Sequence, residues 1–191
     1  MSLEQSKKRV FIAIKLYPDP SFKLMIAHLK NKLGNENLRW IPERNMHLTL
    51  RFLGEVPGNL VPDISGVLAD ISVKTRLFPL LLKGLGIFRS LSYPRVLWGG
   101  IEAPLELNHL KEEIDRGLMS LGFEFDAQHF HPHLSLARMK KIKDKSLFRE
   151  LLGDYKDKVL MEQEVESMVF YESVLKEKGP EYFALSEHFF V

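Results

Sequence analysis

The stretch His47-Leu48-Thr49-Leu50, inside "NMHLTLRFLGEV" from Asn45 to Val56, decides how the rest of the chain is read. Successive side chains of a strand point to opposite faces, so His47, Thr49 and Arg51 fall on one face and Leu48 and Leu50 on the other. One face is apolar and the other carries chemistry. Taken alone, the strand reads as a hydrogen-bonded histidine at the edge of a core. The pattern returns, however, as His133-Leu134-Ser135-Leu136. The interval of 86 residues from His47 to His133 also separates Arg9-Val10 of "RVFIAIKL" from Arg95-Val96 of "RVLWGGI". Strand, helix, short strand and histidine strand therefore occur twice at one offset. Packed about an approximate twofold axis, the halves would set His47 and His133 across a central groove.

The rest of the chain is punctuated accordingly. "RVFIAIKL" reads as a buried strand ended by Pro18 and Pro20. "PSFKLMIAHLKNKLG" sets Phe22, Met25, Ile26, Leu29 and Leu33 on one helical stripe, with Ser21 near its start and Gly34 as its cap. Further helices are predicted from Leu60 to Ile71, from Leu105 to Leu121 with Gly122 as the stop, and from Ser146 to Asp154. "LRWI", "FPLLLKGLGIF", "FEF", "EVESMVFYESVL" and "EYFALSEHFFV" read as extended. Since no Pro-, Gly- or Ser-rich linker divides the chain, residues 1–191 are expected to form one domain of two intertwined lobes.

Composition bounds the chemistry. Hydrophobic residues at 45% and charged residues at 27% describe an ordinary globular chain. With 27 Lys and Arg against 25 Asp and Glu, the formal charge of +2 is too even for a nonspecific grip on long nucleic acid. A small or terminal anionic substrate fits better. The absence of cysteine excludes disulfides, thiolate nucleophiles and thiolate metal sites, and suits a cytoplasmic location. The N-terminal "MSLEQSKKRVFIAIKLYPDP" sets an apolar run behind basic residues, but Lys15 interrupts it, so it reads as a strand and no membrane span is expected.

Two facing imidazoles supply a general acid and a general base near neutral pH. The hydroxyls of Thr49 and Ser135 can donate to an anion held between them. This combination suits phosphodiester cleavage without a metal or other cofactor.

His47-Leu48-Thr49-Leu50 and His133-Leu134-Ser135-Leu136 resemble the tandem motifs of the 2H phosphoesterase superfamily. With "RVFIAIKL", "RWIPERNMHLTLRFLGEV", "PRVLWGGI", "HFHPHLSLAR" and "FYESVLKEKGPEYFAL" in order, the chain resembles the RNA 2',3'-cyclic phosphodiesterases, also called 2'-5' RNA ligases. The resemblance implies an α+β fold, a bilobed pseudo-twofold duplication with two antiparallel sheets around a central, positively lined cleft and helices outside. It implies hydrolysis of a terminal ribose 2',3'-cyclic phosphate to a 2'-phosphate, on RNA or a small cyclic nucleotide. His47 would be the proton donor and His133 the proton acceptor, with Thr49 and Ser135 on the phosphate oxygens. Arg138 matches an arginine that contacts phosphate in relatives, although simple alternation from His133 puts it on the wrong face, so a twist or bulge must bring it round. Arg51 shares parity with His47 and is expected to reach the cleft.

Other readings of the same residues stay open at this stage. His129, His131 and His133 alternate as metal ligands could, which would make a metal-dependent hydrolase. The cleft could also belong to a noncatalytic RNA-end binder. Trp40, Trp98, Phe11 and Tyr171 could stack on bases, but their apolar surroundings favour packing, with Trp40 the best candidate to line the cleft. "RMKKIKDK" from Arg138 to Lys145 could guide RNA or simply be solvated. Because the repeat supplies both halves of the site, a monomer is expected.

Overall fold

Hydrophobic patterning at residues 7–15 sets the centre of the first sheet. In the computed structural model, which describes residues 6–126, 130–177 and 179–191, strand β1 (Lys7–Lys15) is buried continuously from Val10 to Ile14. Val10, Ile12 and Ile14 enter the common core and Phe11 points the other way, as in a strand covered on both faces. The chain continues through α1 (Pro20–Lys32), β2 (Arg39–Trp40), β3 (His47–Pro57), α2 (Val61–Ser72), β4 (Phe78–Arg89) and β5 (Pro94–Glu102). After these come α3 (Leu105–Met119), β6 (His133–Arg138), α4 (Lys145–Tyr155), β7 (Val159–Val165), β8 (Ser167–Lys176) and β9 (Gly179–Phe189).

The strands form two antiparallel sheets, ordered β3-β1-β8-β9 and β2-β6-β5-β4-β7. Each sheet repeats one sequence of parts: a histidine strand, an Arg-Val strand, then two more. The halves exchange pieces as well. β2, from the first half, is the edge of the second sheet, where Arg39 pairs with Arg138 and Trp40 with Ala137. Helix α1 packs on β7 of the second sheet, and α3 packs on β3 of the first. Helices α2 and α4 cover β8–β9 and β4 respectively, so each sheet has a helical outer face. This is the expected α+β architecture.

Local chemistry explains the boundaries. Helix α1 is capped by Asp19, which accepts from the Phe22 amide at 2.8 Å; Ser21 only donates to that carboxylate at 2.7 Å. Pro20 opens the helix, and Lys30 and Lys32 lie at its negative end.

Two strand expectations need correction. "FEF" is not a strand. Gly122 takes a positive φ of 85° after α3, its amide bonds Met119 O, and the Phe123 amide returns to Leu118 O, which closes the helix and removes the donor a strand would need. "EVESMVFYESVL" is two strands in different sheets, broken at Glu166. Inward positions alternate through Met161, Gln163 and Val165, but the next buried residue is Met168, so the phase of two slips there.

Candidate active site

β3 and β6 approach each other along the seam between the sheets, and both begin with a histidine. His47 and Thr49 are half-buried on one face of β3 while Leu48 and Leu50 are in the core; His133, Ser135, Leu134 and Leu136 repeat the arrangement. Each imidazole is oriented identically. His47 Nδ1 lies 2.7 Å from Asn45 O, and His133 Nδ1 lies 2.8 Å from His131 O. A carbonyl only accepts, so Nδ1 must carry the proton in both rings. Nε2 is left as the basic position of the neutral ring, with no hydrogen-bond partner among the described residues.

Both rings are held below the ordinary imidazole value. Burial pushes the His47 imidazole below its ordinary value, and the charges of His133 and Arg138 lower it further, against the hydrogen bond to Asn45. Burial also lowers His133, with the charge of His131 adding to the effect and the His131 carbonyl opposing it. Aromatic rings enclose both histidines. His47 is 5.0 Å from Phe11 and meets Tyr182 edge-on at 5.2 Å; His133 meets Phe88 edge-on at 4.6 Å.

One irregularity, repeated in both lobes, decides what else faces the cleft. In the β1–β3 ladder Ile12 pairs with Arg51 and Ala13 with Thr49, leaving Leu50 as an extra residue. In the β5–β6 ladder Leu97 pairs with Ala137 and Trp98 with Ser135, leaving Leu136 extra. These β-bulges are 86 residues apart and reset the alternation after each motif. Leu136 and Ala137 are both buried, so Arg138 returns to the face of His133 and Ser135, where its charge acts on His47 and Tyr182. A bulge is what the sequence required for Arg138.

The bulge at Leu50 has the opposite effect on Arg51, and the expectation for that residue is corrected. Arg51 lies opposite the core residue Ile12 and turns to the helical face. There its guanidinium is held by Asp126 at 2.8 Å, by Asp115 at 3.6 Å and by the Glu124 carbonyl at 2.7 Å. Parity counted along an unbroken strand misplaced it.

The remaining candidates separate in the same way. Trp40 is half-buried against the core, with the Lys30 ammonium 5.8 Å from its ring. Trp98 lies beside Ser135, Phe11 beside His47, and Tyr171 stacks on Phe11 at 5.2 Å. The basic run is a capping loop: Glu36 accepts from the amides of Lys143 and Asp144, and Asp144 caps α4. His129 lies outside the described residues. The His131 ring sits against Phe88 and Trp98, 6.3 Å from His133, and among the described residues no group of three His, Asp or Glu side chains is placed to hold a metal. Tyr182 and Phe88 were not singled out from sequence; no local spacing marks them, because β9 and β4 reach the site only through sheet pairing.

The fold agrees with the comparisons. A family model described as LigT like Phosphoesterase matches residues 17–98, which include the first motif. The chain is 34% identical over 165 residues to the RNA 2',3'-cyclic phosphodiesterase of Aeropyrum pernix, covering 85% of this chain and 93% of that protein. It is also 34% identical over 181 residues to the protein of that name from Thermotoga maritima, covering 94% of both. The chain belongs to the LigT-like phosphoesterase family. This LigT-like phosphoesterase also shares its fold with solved structures. A Thermus thermophilus protein superposes with a TM-score of 0.78 at 26% identity, covering 95% of this chain and 97% of that one. Escherichia coli LigT complexed with 3'-AMP has a TM-score of 0.75 at 24% identity, covering 97% and 99%. In the LigT-like phosphoesterase, no helix among the described residues is long and apolar enough to cross a membrane.

Proposed function

We propose that this protein hydrolyses the terminal 2',3'-cyclic phosphate of RNA to a 2'-phosphate, with His47 as general acid and His133 as general base and without a metal ion. One observation carries the reading: two histidines on duplicated, bulged strands, each with Nδ1–H fixed on the carbonyl two residues back. The names of the relatives support the substrate.

In the reaction, His133 Nε2 takes a proton from water as the water oxygen bonds to phosphorus. The bond from phosphorus to the 3' oxygen breaks, and the His47 Nε2 proton goes to that oxygen, leaving a 3'-hydroxyl and a 2'-phosphate. Thr49, Ser135 and Arg138 hold the nonbridging oxygens, where charge builds as phosphorus becomes five-coordinate. With an RNA 5'-hydroxyl in place of water, the same proton transfers join the ends by a 2'-5' linkage. Both histidines come from one chain, so a single copy carries the full set of groups.

The test is turnover, in EDTA, of an RNA ending in a 2',3'-cyclic phosphate, by wild type, His47→Ala and His133→Ala. The expected result is a 2'-phosphate product from wild type and a loss of at least roughly a hundredfold in each variant. Full activity in either variant would overturn the assignment, and activity abolished by EDTA but restored by added metal would overturn the metal-free mechanism.

A further inference from the structure

The two lobes repeat their histidines and hydroxyls at one offset, but other positions differ in kind. Advancing 86 residues takes Phe52 to Arg138 and Asn45 to His131. The second difference lies inside the clamp that holds each imidazole. Asn45 and His131 supply the carbonyls that fix Nδ1 of His47 and His133, at 2.7 Å and 2.8 Å. Their side chains do different things. The Asn45 amide donates to Pro180 O on β9 at 3.2 Å and carries no charge. His131 sets a second imidazole beside the first, with ring centroids 6.3 Å apart.

Aromatic packing fixes where that second ring lies. Its centroid is 5.4 Å from Phe88 and 5.1 Å from Trp98, edge-on to both, and Phe88 also meets His133 edge-on at 4.6 Å. One phenyl ring therefore touches both imidazoles. The backbone between them is anchored as well, because the Ile101 amide donates to Pro132 O at 3.3 Å and Gly100 pairs with His133. His131 itself is exposed, so its ring exchanges protons with solvent.

Charge decides what this ring does. Phe88 and Trp98 bring none. His47 and Tyr182 face the site from the first sheet, and Arg138 lies along β6 with Arg39 beside it on β2. Lys83 and Glu102, on β4 and β5, neutralise each other at 3.1 Å. Arg138 acts on His47, whereas the charge that acts on His133 is that of His131. Two unit charges 6.3 Å apart oppose each other by about half a pH unit even at the dielectric of bulk water. A general base works in its neutral form, so a neighbour that opposes its protonation keeps it in the working state.

We infer that His131 is a positioning residue for the base: its imidazolium charge disfavours a proton on His133 and keeps Nε2 open to take one from water. On acidification the first proton to reach this pair of rings opposes the second. The inference rests on the hydrolase reading for the task of His133, but not for the coupling between the rings.

Two measurements test it on wild type, on His131→Asn, which installs the first-lobe residue, and on His131→Lys, which fixes a positive charge. The first is kcat/KM for cytidine 2',3'-cyclic phosphate from about pH 5 to about pH 8. The second is an NMR titration of the His133 Cε1–H without substrate, with the resonance assigned by its loss in His133→Gln. Both are made at one low ionic strength, where screening is weak. His131→Asn is expected to raise the acid limb and the His133 midpoint by roughly half a pH unit, and His131→Lys to leave both at or below their wild-type positions. A midpoint unmoved in His131→Asn, or raised alike in both variants, would overturn the inference. A midpoint that moves while the acid limb stays would overturn His133 as the base, and the inference with it. The expected midpoints in a protein that does not turn over the cyclic phosphate would overturn the hydrolase reading and leave the coupling standing.

Discussion

His47 and His133 share one local geometry, and the proposed reaction gives them opposite tasks. Each imidazole has its tautomer set by a backbone carbonyl, and burial lowers each below the ordinary histidine value of 6.5. In the proposed reaction the acid must be protonated and the base neutral, which assigns the alkaline limb of a pH profile to His47 and the acid limb to His133. Because both pKa values are lowered, kcat/KM is expected to peak below pH 6.5 and to decline already as pH rises through neutrality. A profile of kcat/KM against pH for a dinucleotide ending in a cyclic phosphate reads this directly. An alkaline limb well above pH 7 would contradict the lowering of His47 in the free protein. At this scale the histidines and hydroxyls were legible because period-two alternation needs only local sequence. Arg51 and Phe52 were not, since one inserted residue reverses the alternation and only the pairing partner reveals the insertion.

Among the elements, the β4–β5 pair shows how close backbone approach shapes the second lobe. Gly86 lies directly opposite Trp98, and a Cβ there would come within 2.1 Å of the indole. The indole can lie across β4 only because that side chain is missing, and it thereby flanks Ser135 on the next strand. Gly86→Ala is expected to displace Trp98 and lower stability by about 1–3 kcal/mol. Urea unfolding measures the loss, and Trp98 emission in a Trp40→Phe background should shift to the red. An unshifted spectrum with unchanged stability would show that the strand pair has slack that the contact denies. Helices α1, α2, α3 and α4 were readable from their apolar stripes, as were most strands. Glu166 and "FEF" were misread because sheet membership and helix closure depend on hydrogen bonds rather than on hydrophobicity.

In the whole molecule, the first half and the second are joined by charge as well as by exchanged elements. Arg51 of β3 meets Asp115 and Asp126, and Lys111 pairs with Asp115 and lies 3.5 Å from Asp126. Lys111 and Asp115 are both buried, so the network is balanced where water cannot screen it. Asp115→Ala would remove the buried carboxylate that Lys111 and Arg51 share and is expected to cost about 3–5 kcal/mol. Asp126→Ala, at a more exposed position, should cost clearly less in the same urea titration. Equal losses would mean that burial does not set the strength of this junction.

The sequence by itself determined the duplication, the two histidine strands with their hydroxyls, and the helices that cover them, because those features are periodic along the chain. Only the tertiary structure decided that Arg138 enters the cleft and Arg51 leaves it, that α1, α3 and β2 cross to the opposite lobe, and that Phe52 takes in the first lobe the place of Arg138 in the second. Each depends on which distant strand pairs with which, and at what register. Such pairings are set by packing between segments far apart in sequence, and no local pattern records them.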